Sequence, residues 1–509
     1  MGLINNIYLK FSSKYLKDIS LSAKDPMPFQ YFWFKNLIEN GKDTLFGKDH
    51  NFSNISSIEE FQKNVPIRDY NATFPYIERL LKGEDYILWN EKVKMFAKSS
   101  GTSSDKSKFI PVTQKSLEIT HYGGFKTMLS NYINSFPCSK LFKGKALTLG
   151  GSVTAQNNGD IISGDLSALL LKNSPRIVEI LRTPSRKSAM LADFNTKLEM
   201  ICKECAKENV TNFSGVPSWN LMLLNKILEY TGEKDICKVW PNLELFMHGG
   251  IGFDPYREIY KKLIPNEGMK YVENYNASEG YFAFQDDLNI NSMLVTANNG
   301  VFYEFIPMDI FNEVLSGEIA QIPTLKDVKV GVNYAIVIST IGGLWRYLIG
   351  DCVKFTSVYP HRLIVSGRTQ LYINAFGEEL MIENAEKAIS KACRVCDCNI
   401  TDFTVAPVFM KLDDSSQASK GYHKWAIEFS TTPADLQIFT QELDKALMSI
   451  NSDYEAKRTN NSTMNMLEVV SLPKDTFYKW MQQRGKVGGQ NKVPRLYKDE
   501  TYINQLVSL

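Results

Sequence analysis

The 509 residues exceed what one hydrophobic core usually organises, so at least two domains are expected. With 44% hydrophobic and 22% charged residues the chain reads as globular, not disordered. A formal net charge of +2 implies neither nucleic acid nor any other polyanion as a partner.

The N-terminal stretch LINNIYLKFSSKYLKDISLSAK carries Leu, Ile, Tyr and Phe at helical spacing with Lys between them. It suits a helix packed on the body, the alternative being a helix lying on a membrane surface. It lacks an uninterrupted apolar run and a small-residue cleavage site, and nothing later reaches the length of a membrane span. A cytoplasmic monomer is the expectation. From Asp25 to Asn90 the pattern is helical, punctuated by Pro and Gly. From Lys92 onward, buried-strand runs alternate with helices. KALTLGG, TNFSGVPSW, LELFMHGG, KYVENY, SMLVTA, VFYEFIP and YAIVIST are the strands, and SALLLKNSPRIVEILR and NLMLLNKILEYTG are amphipathic helices. This predicts an α/β body whose strand-end loops carry the site.

Composition shifts after Gly367-Arg368. Beyond it the pattern is helix (ENAEKAISKACRV), strand (FTVAPVFM), strand (HKWAIEFS), helix (ADLQIFTQELDKALMSI) and strand (MLEVVSLP), enough for a small α+β domain. The domains are therefore expected at 1–367 and 368–509, with a hinge near 366–371. The eight cysteines are too few for a disulfide scaffold. Cys202 and Cys205, like Cys393, Cys396 and Cys398, read as buried or helix-face thiols, since neither group has the partners that complete a zinc site.

Four segments carry residues suited to chemistry. In FAKSSGTSSDKSKFIPVT, Ser99, Ser100, Thr102, Ser103 and Ser104 surround Gly101, so one turn can aim backbone N–H groups and hydroxyls at an anion, with Lys106 and Lys108 nearby. That suits a triphosphate without being a Walker loop. In YVENYNASEGYFAF, Tyr275, Ala277, Ser278 and Glu279 fall within one strand end and turn. Tyr275 is placed to cover an adenine, Ser278 to contact a phosphate and Glu279 to bind Mg²⁺ through oxygen. Asp351, after Gly350 in LWRYLIGDCVKF, suits a ribose diol with Arg368 as a second contact; a salt bridge between the two is the competing structural reading. The Gly-rich WMQQRGKVGGQNKVPRLYK holds Lys486, Lys492 and Arg495, and suits delivery of a cation to a site built elsewhere.

These segments occur in the order used by adenylate-forming enzymes, the superfamily of acyl-CoA synthetases and firefly luciferase. Within it the chain resembles the GH3 family of acyl-acid amido synthetases. SSGTSSDKSKFIPVT, YNASEG and WRYLIGDCVKF resemble the family's three nucleotide motifs, and RGKVGGQNKVPR resembles the segment bearing its phosphate-binding lysine, which falls on Lys492. VPIRDYNATFPYIERLLKGE, GVPSW and FMHGGIGFDPYRE extend the likeness over nearly the whole chain.

The resemblance implies a large N-terminal domain of mixed β-sheets, helices and a small β-barrel, followed by a small mobile α+β lid. It also implies ATP and Mg²⁺, a carboxylic acid, and an amino acid or other amine as acceptor. Ser99, Ser100, Gly101, Thr102 and Ser103 would then hold phosphates, and Lys492 the α-phosphate. Val216, Pro217, Trp219 and the His248-Gly249-Gly250 loop are candidates for the acyl pocket, where small residues admit a substrate to the backbone. At the hinge the chain departs from its adenylate-forming relatives, offering Gln370 and Leu371 where Asp or Lys is usual. Two rivals stay open: an acyl-CoA synthetase with a thiol acceptor, and a nucleotide-binding protein without turnover. A hydrolase is disfavoured, since neither GxSxG nor HExxH occurs.

Overall fold

The computed structural model describes residues 3–99, 108–151, 153–156, 160–191, 194–369, 373, 378, 380–408, 421–458, 464–487 and 492–509. These form two compact units: 1–215, 226–250 and 266–365 in the first; 216–225, 251–265 and 366–509 in the second. Among the described residues no helix is long and apolar enough to cross a membrane.

In the first unit the opening helix Leu3–Lys24 is followed by shorter helices at Met27–Gly41, Leu45–Asp49, Ile58–Asn64 and Tyr70–Leu81, as the punctuated pattern predicts. The last is capped by Asp69, whose carboxylate accepts the Ala72 N–H at 2.9 Å. The strands then run β1 (Met95–Ser99), β2 (Lys108–Val112), β3 (Lys145–Thr148), β4 (Val153–Gln156), β5 (Ile161–Gly164), β6 (Arg182–Thr183), β7 (Val210–Gly215), β8 (Leu245–His248) and β9 (Lys270–Ala277). They continue as β10 (Gly280–Phe284), β11 (Met293–Val295), β12 (Val301–Pro307), β13 (Asn333–Thr340), β14 (Tyr347–Val358) and β15 (His361–Arg368).

A four-stranded sheet has the order β2-β1-β5-β4, and an eleven-stranded sheet the order β12-β13-β14-β15-β11-β10-β9-β8-β7-β3-β6. In the latter β6, β3, β7, β8 and β9 pair in parallel, while β9-β10, β10-β11, β11-β15, β12-β13 and β13-β14 pair antiparallel. Of the parallel strands, β8 is buried along its whole length, as befits a strand inside an α/β layer. The carboxyl ends of β3, β7, β8 and β9, at Thr148, Gly215, His248 and Ala277, come out on one edge.

One predicted helix differs. The run from Ser167 to Arg182 divides into a helix Leu166–Asn173, a 3₁₀ turn Arg176–Glu179 and β6. Pro175 supplies no N–H and disfavours helical backbone at Ser174, which is extended at ψ 144.

In the second unit β16 (Asn399–Val408), β17 (Tyr422–Thr431) and β18 (Glu468–Leu472) make a three-stranded sheet. The helices Ile382–Val395 and Leu436–Ile450 pack together. Ala385, Ala388, Ile389 and Ala392 on one, at i, i+3, i+4, i+7 spacing, and Phe439, Leu443, Ala446 and Leu447 on the other, at i, i+4, i+7, i+8, share a buried core. Cys202, Cys205, Cys393 and Cys398 are buried free thiols and Cys396 a half-buried one.

Candidate functional site

The carboxyl edge of the parallel strands is where open α/β sheets gather ligands. At β9 the chain turns back through a two-residue loop, Ser278-Glu279, between the paired residues Ala277 and Gly280. Tyr275 is buried, with its ring edge-on to Phe282 at 5.0 Å. Its hydroxyl donates to Asp351 Oδ2 at 2.6 Å. Two of the sequence candidates, 76 residues apart, are thus joined by one hydrogen bond.

Asp351 owes its aim to a bulge. Ala335 pairs with Cys352 and Val337 with Leu348, so Ile349, Gly350 and Asp351 face Ile336 alone. Gly350 takes φ +94, which a side chain disfavours, and the strand re-aims the carboxylate that follows. Upstream, the motif is anchored by two buried side chains. Trp345 Nε1 donates to the Leu88 carbonyl at 2.9 Å. Arg346 is 1% exposed and lies against Glu304, with donors on both carboxylate oxygens and on the Gln62 and Val65 carbonyls at 2.7 Å. The sequence pattern did not reveal this second role of the motif.

Ser99 closes β1 opposite Lys108 of β2, so the hydroxyl-rich segment is bracketed by a strand pair. Ser100, Gly101, Thr102, Ser103, Ser104 and Lys106 lie outside the described residues, as do the hinge residues Gln370 and Leu371. Lys108 Nζ sits 5.7 Å from the Tyr70 ring centroid, and Lys98 Nζ 5.8 Å from that of Phe109.

His248 ends β8, buried, and its carbonyl accepts the Asn274 side chain at 3.0 Å. A Cβ on Gly249 would fall 2.2 Å from the Asn274 carbonyl oxygen. The small residue at 249 therefore admits the neighbouring strand's backbone. His121 closes a π-helical turn, Ser116–His121, and lies 3.4 Å from the Asn276 side-chain oxygen. Burial pushes its imidazole down to about 4, so it is neutral near pH 7.

In the second unit Pro217 opens the helix Pro217–Thr231, and its carbonyl accepts the Tyr260 hydroxyl at 2.7 Å. Val216 precedes it and Trp219 lies half-buried in its first turn. Arg368 ends β15. Lys492 is exposed, followed by the buried Val493. Three residues on, Arg495 is 4% exposed, bonded to Asp402 and, at 2.7 Å, to the Tyr256 hydroxyl. The Arg495 carbonyl accepts the Val405 N–H at 2.9 Å, pinning the segment to β16.

Among the described residues no three His, Cys, Asp or Glu side chains gather as a metal cage. The donor set nevertheless fits Mg²⁺, which keeps several waters and takes one or two carboxylates plus phosphate oxygens; Glu279, half-buried on the β9–β10 turn, is such a carboxylate.

Profiles of three domains match the chain in order: the GH3 family N-terminal domain over residues 15–269, the central domain over 294–368 and the C-terminal domain over 383–501. A jasmonoyl–L-amino acid synthetase of Nicotiana attenuata is 24% identical over 97% of this chain and 95% of its own. A 4-substituted benzoates–glutamate ligase of Arabidopsis thaliana is 24% identical over 86% of this chain and 88% of its own. Among solved structures, an acyl acid amido synthetase in complex with 2,4-DB superimposes with a TM-score of 0.79 at 17% identity, over 98% of this chain and 96% of that one. A 2-hydroxyisobutyryl-CoA ligase in the postadenylation state gives 0.55 at 11% identity, over 96% and 92%. At these identities the two structures show a shared fold.

Proposed function

The chain belongs to the GH3 family, and from that premise we propose that it is an ATP-dependent acyl-acid amido synthetase. A carboxylate oxygen attacks the α-phosphorus of ATP, forming an acyl-adenylate and releasing pyrophosphate. An amino group then attacks the acyl carbon, the C–O bond to phosphate breaks, and AMP leaves. No protein nucleophile is needed; the protein positions the reactants and stabilises developing charge.

The observation that carries this reading is the match of all three family domains, in order, to one chain. The relatives named as conjugating jasmonate or benzoates to amino acids supply the amide-forming step. The geometry agrees with a nucleotide on the carboxyl edge. We assign Asp351, oriented by Tyr275, to the ribose: a carboxylate accepts several hydrogen bonds and Tyr275 donates one of them. Tyr275 also borders the adenine, and Ala277 and Ser278 follow the nucleotide along the β9–β10 turn. Glu279 would hold Mg²⁺, which when bound neutralises phosphate charge. Ser99 through Ser103 are assigned to the phosphates, and Lys492 to the α-phosphate in the transition state. Arg368, Lys492 and the acyl-pocket residues Val216, Pro217, Trp219, His248, Gly249 and Gly250 are assigned from motif order alone. A lid at 368–509, and a monomer acting in the cytoplasm, complete the proposal.

The fold shared with a CoA ligase keeps one second reading, in which a thiol takes the acyl group. Pyrophosphate release across a panel of carboxylic acids tests the first step. Carboxylate-dependent release is expected, and its absence for every acid would remove the assignment.

A further inference from the structure

The first unit contains a buried cation that the proposed reaction leaves without a task. Lys197 lies on the helix Phe194–Cys205 and is 8% exposed. Its Nζ donates to the Gly150 carbonyl at 3.0 Å. Among the described residues that carbonyl is its one hydrogen-bond partner, and no carboxylate forms an ion pair with it. Asp165, before the helix Leu166–Asn173, acts on it only through space. An ammonium has three donors, and a buried charge is ordinarily paired or neutralised. Burial indeed pushes this one below the usual lysine range.

Its location gives the buried ammonium a use. Gly150 follows β3, and Thr148 of β3 pairs with Ser214 of β7. Gly215 of β7 pairs with His248 of β8, and His248 with Glu273 of β9, two residues before Tyr275. The turns after β3, β7, β8 and β9 therefore leave the sheet side by side. Three strand spacings, roughly 14 Å, separate the Lys197 end of this edge from Tyr275. That is the scale of a small acid joined to a nucleotide.

We propose that Lys197, steadied by the Gly150 carbonyl, is a subsite for a carboxylate other than the one being activated. Two sources share that chemistry: the α-carboxylate of the acceptor amino acid, and the second carboxylate of a dicarboxylic donor. The proposal rests on the amido-synthetase reading for its place in a reaction, though anion binding there can be read without turnover. A purely structural role, tying the helix to the turn after β3, makes the opposite prediction for stability: losing the tie would lower Tm.

The test uses the full chain and Lys197→Met, which keeps the length and removes the charge. With an amino acid acceptor the variant should lose about 30-fold in kcat/KM, the worth of a hydrogen bond to a charged group, while the matching amino acid carboxamide changes less than threefold. If the dicarboxylic donor is the source, the same contrast appears between a dicarboxylate and its monoester in pyrophosphate release. Lys197→Arg should recover part of the loss. Tm of Lys197→Met should hold or rise. Thermal shifts with glycine, glycinamide and glutarate, read without ATP, decide the subsite even if no acid is adenylated. Stabilisation by glycine or glutarate in the parent and not in Lys197→Met supports it. A lowered Tm with equal effects on both members of each pair, or no carboxylate-dependent shift in the parent, overturns it.

Discussion

Arg346 and Lys197 are both buried cations of the first unit, and their surroundings could hardly be less alike. Arg346 meets a carboxylate and three backbone carbonyls; Lys197 meets one carbonyl. The first arrangement is what a charge needs in order to hold a structure together, since the hydrogen bonds and the Glu304 pair offset its desolvation. The second is what a charge looks like when its partner belongs to another molecule. Fully satisfied buried groups on this chain therefore read as scaffold, and under-satisfied ones at the carboxyl edge as site.

Arg346→Met strands Glu304 in the core and should lose about 3–5 kcal/mol in urea unfolding. A loss under 1 kcal/mol would mean the pair does not organise the turn that leads to Asp351. A buried neutral base extends the argument to pH. His121 titrates near 4 when folded and near 6.5 when unfolded, so the unfolded chain binds the proton first as pH falls. Its contribution is intact above pH 6.5 and is lost progressively towards pH 4, by about 3 kcal/mol over that window. His121→Gln should flatten that slope; an unchanged slope assigns it to other groups.

Lys492, exposed on the second unit, is the counterpart whose removal should spare the fold. Lys492→Ala is expected to slow adenylation by roughly 10² with Tm unchanged. Near-normal ATP–pyrophosphate exchange would withdraw its assignment. The smallest effect is expected at Lys197: Lys197→Met should stabilise the chain by about 1 kcal/mol, the opposite sign to Arg346→Met.

The sequence made some of this legible and hid the rest for physical reasons. Strands such as β7, β8, β12 and β13 announced themselves as apolar runs, and Ser278-Glu279 as a turn. Asp351 stood out as an acid after an apolar run, whereas the bulge at Gly350 that aims it did not. Nothing in the pattern told that Arg346, two residues after an apolar Leu, points into the core at Glu304, because burial of a charge depends on residues nearly three hundred positions away. Lys197 sits in an ordinary amphipathic helix, and its interest arises only from where Gly150 ends. Segments 216–225 and 251–265 cluster with the second unit through contacts such as Tyr256 to Arg495, which a reading along the chain cannot pair.

The central claim, that this chain joins acids to amines through an acyl-adenylate, is tested most directly by competition. The enzyme is given ATP, a carboxylic acid that releases pyrophosphate, CoA and pooled amino acids together, and the products are read by mass spectrometry. An acyl-amino acid with stoichiometric AMP is the predicted result. An acyl-CoA thioester as the sole acylated product would contradict it.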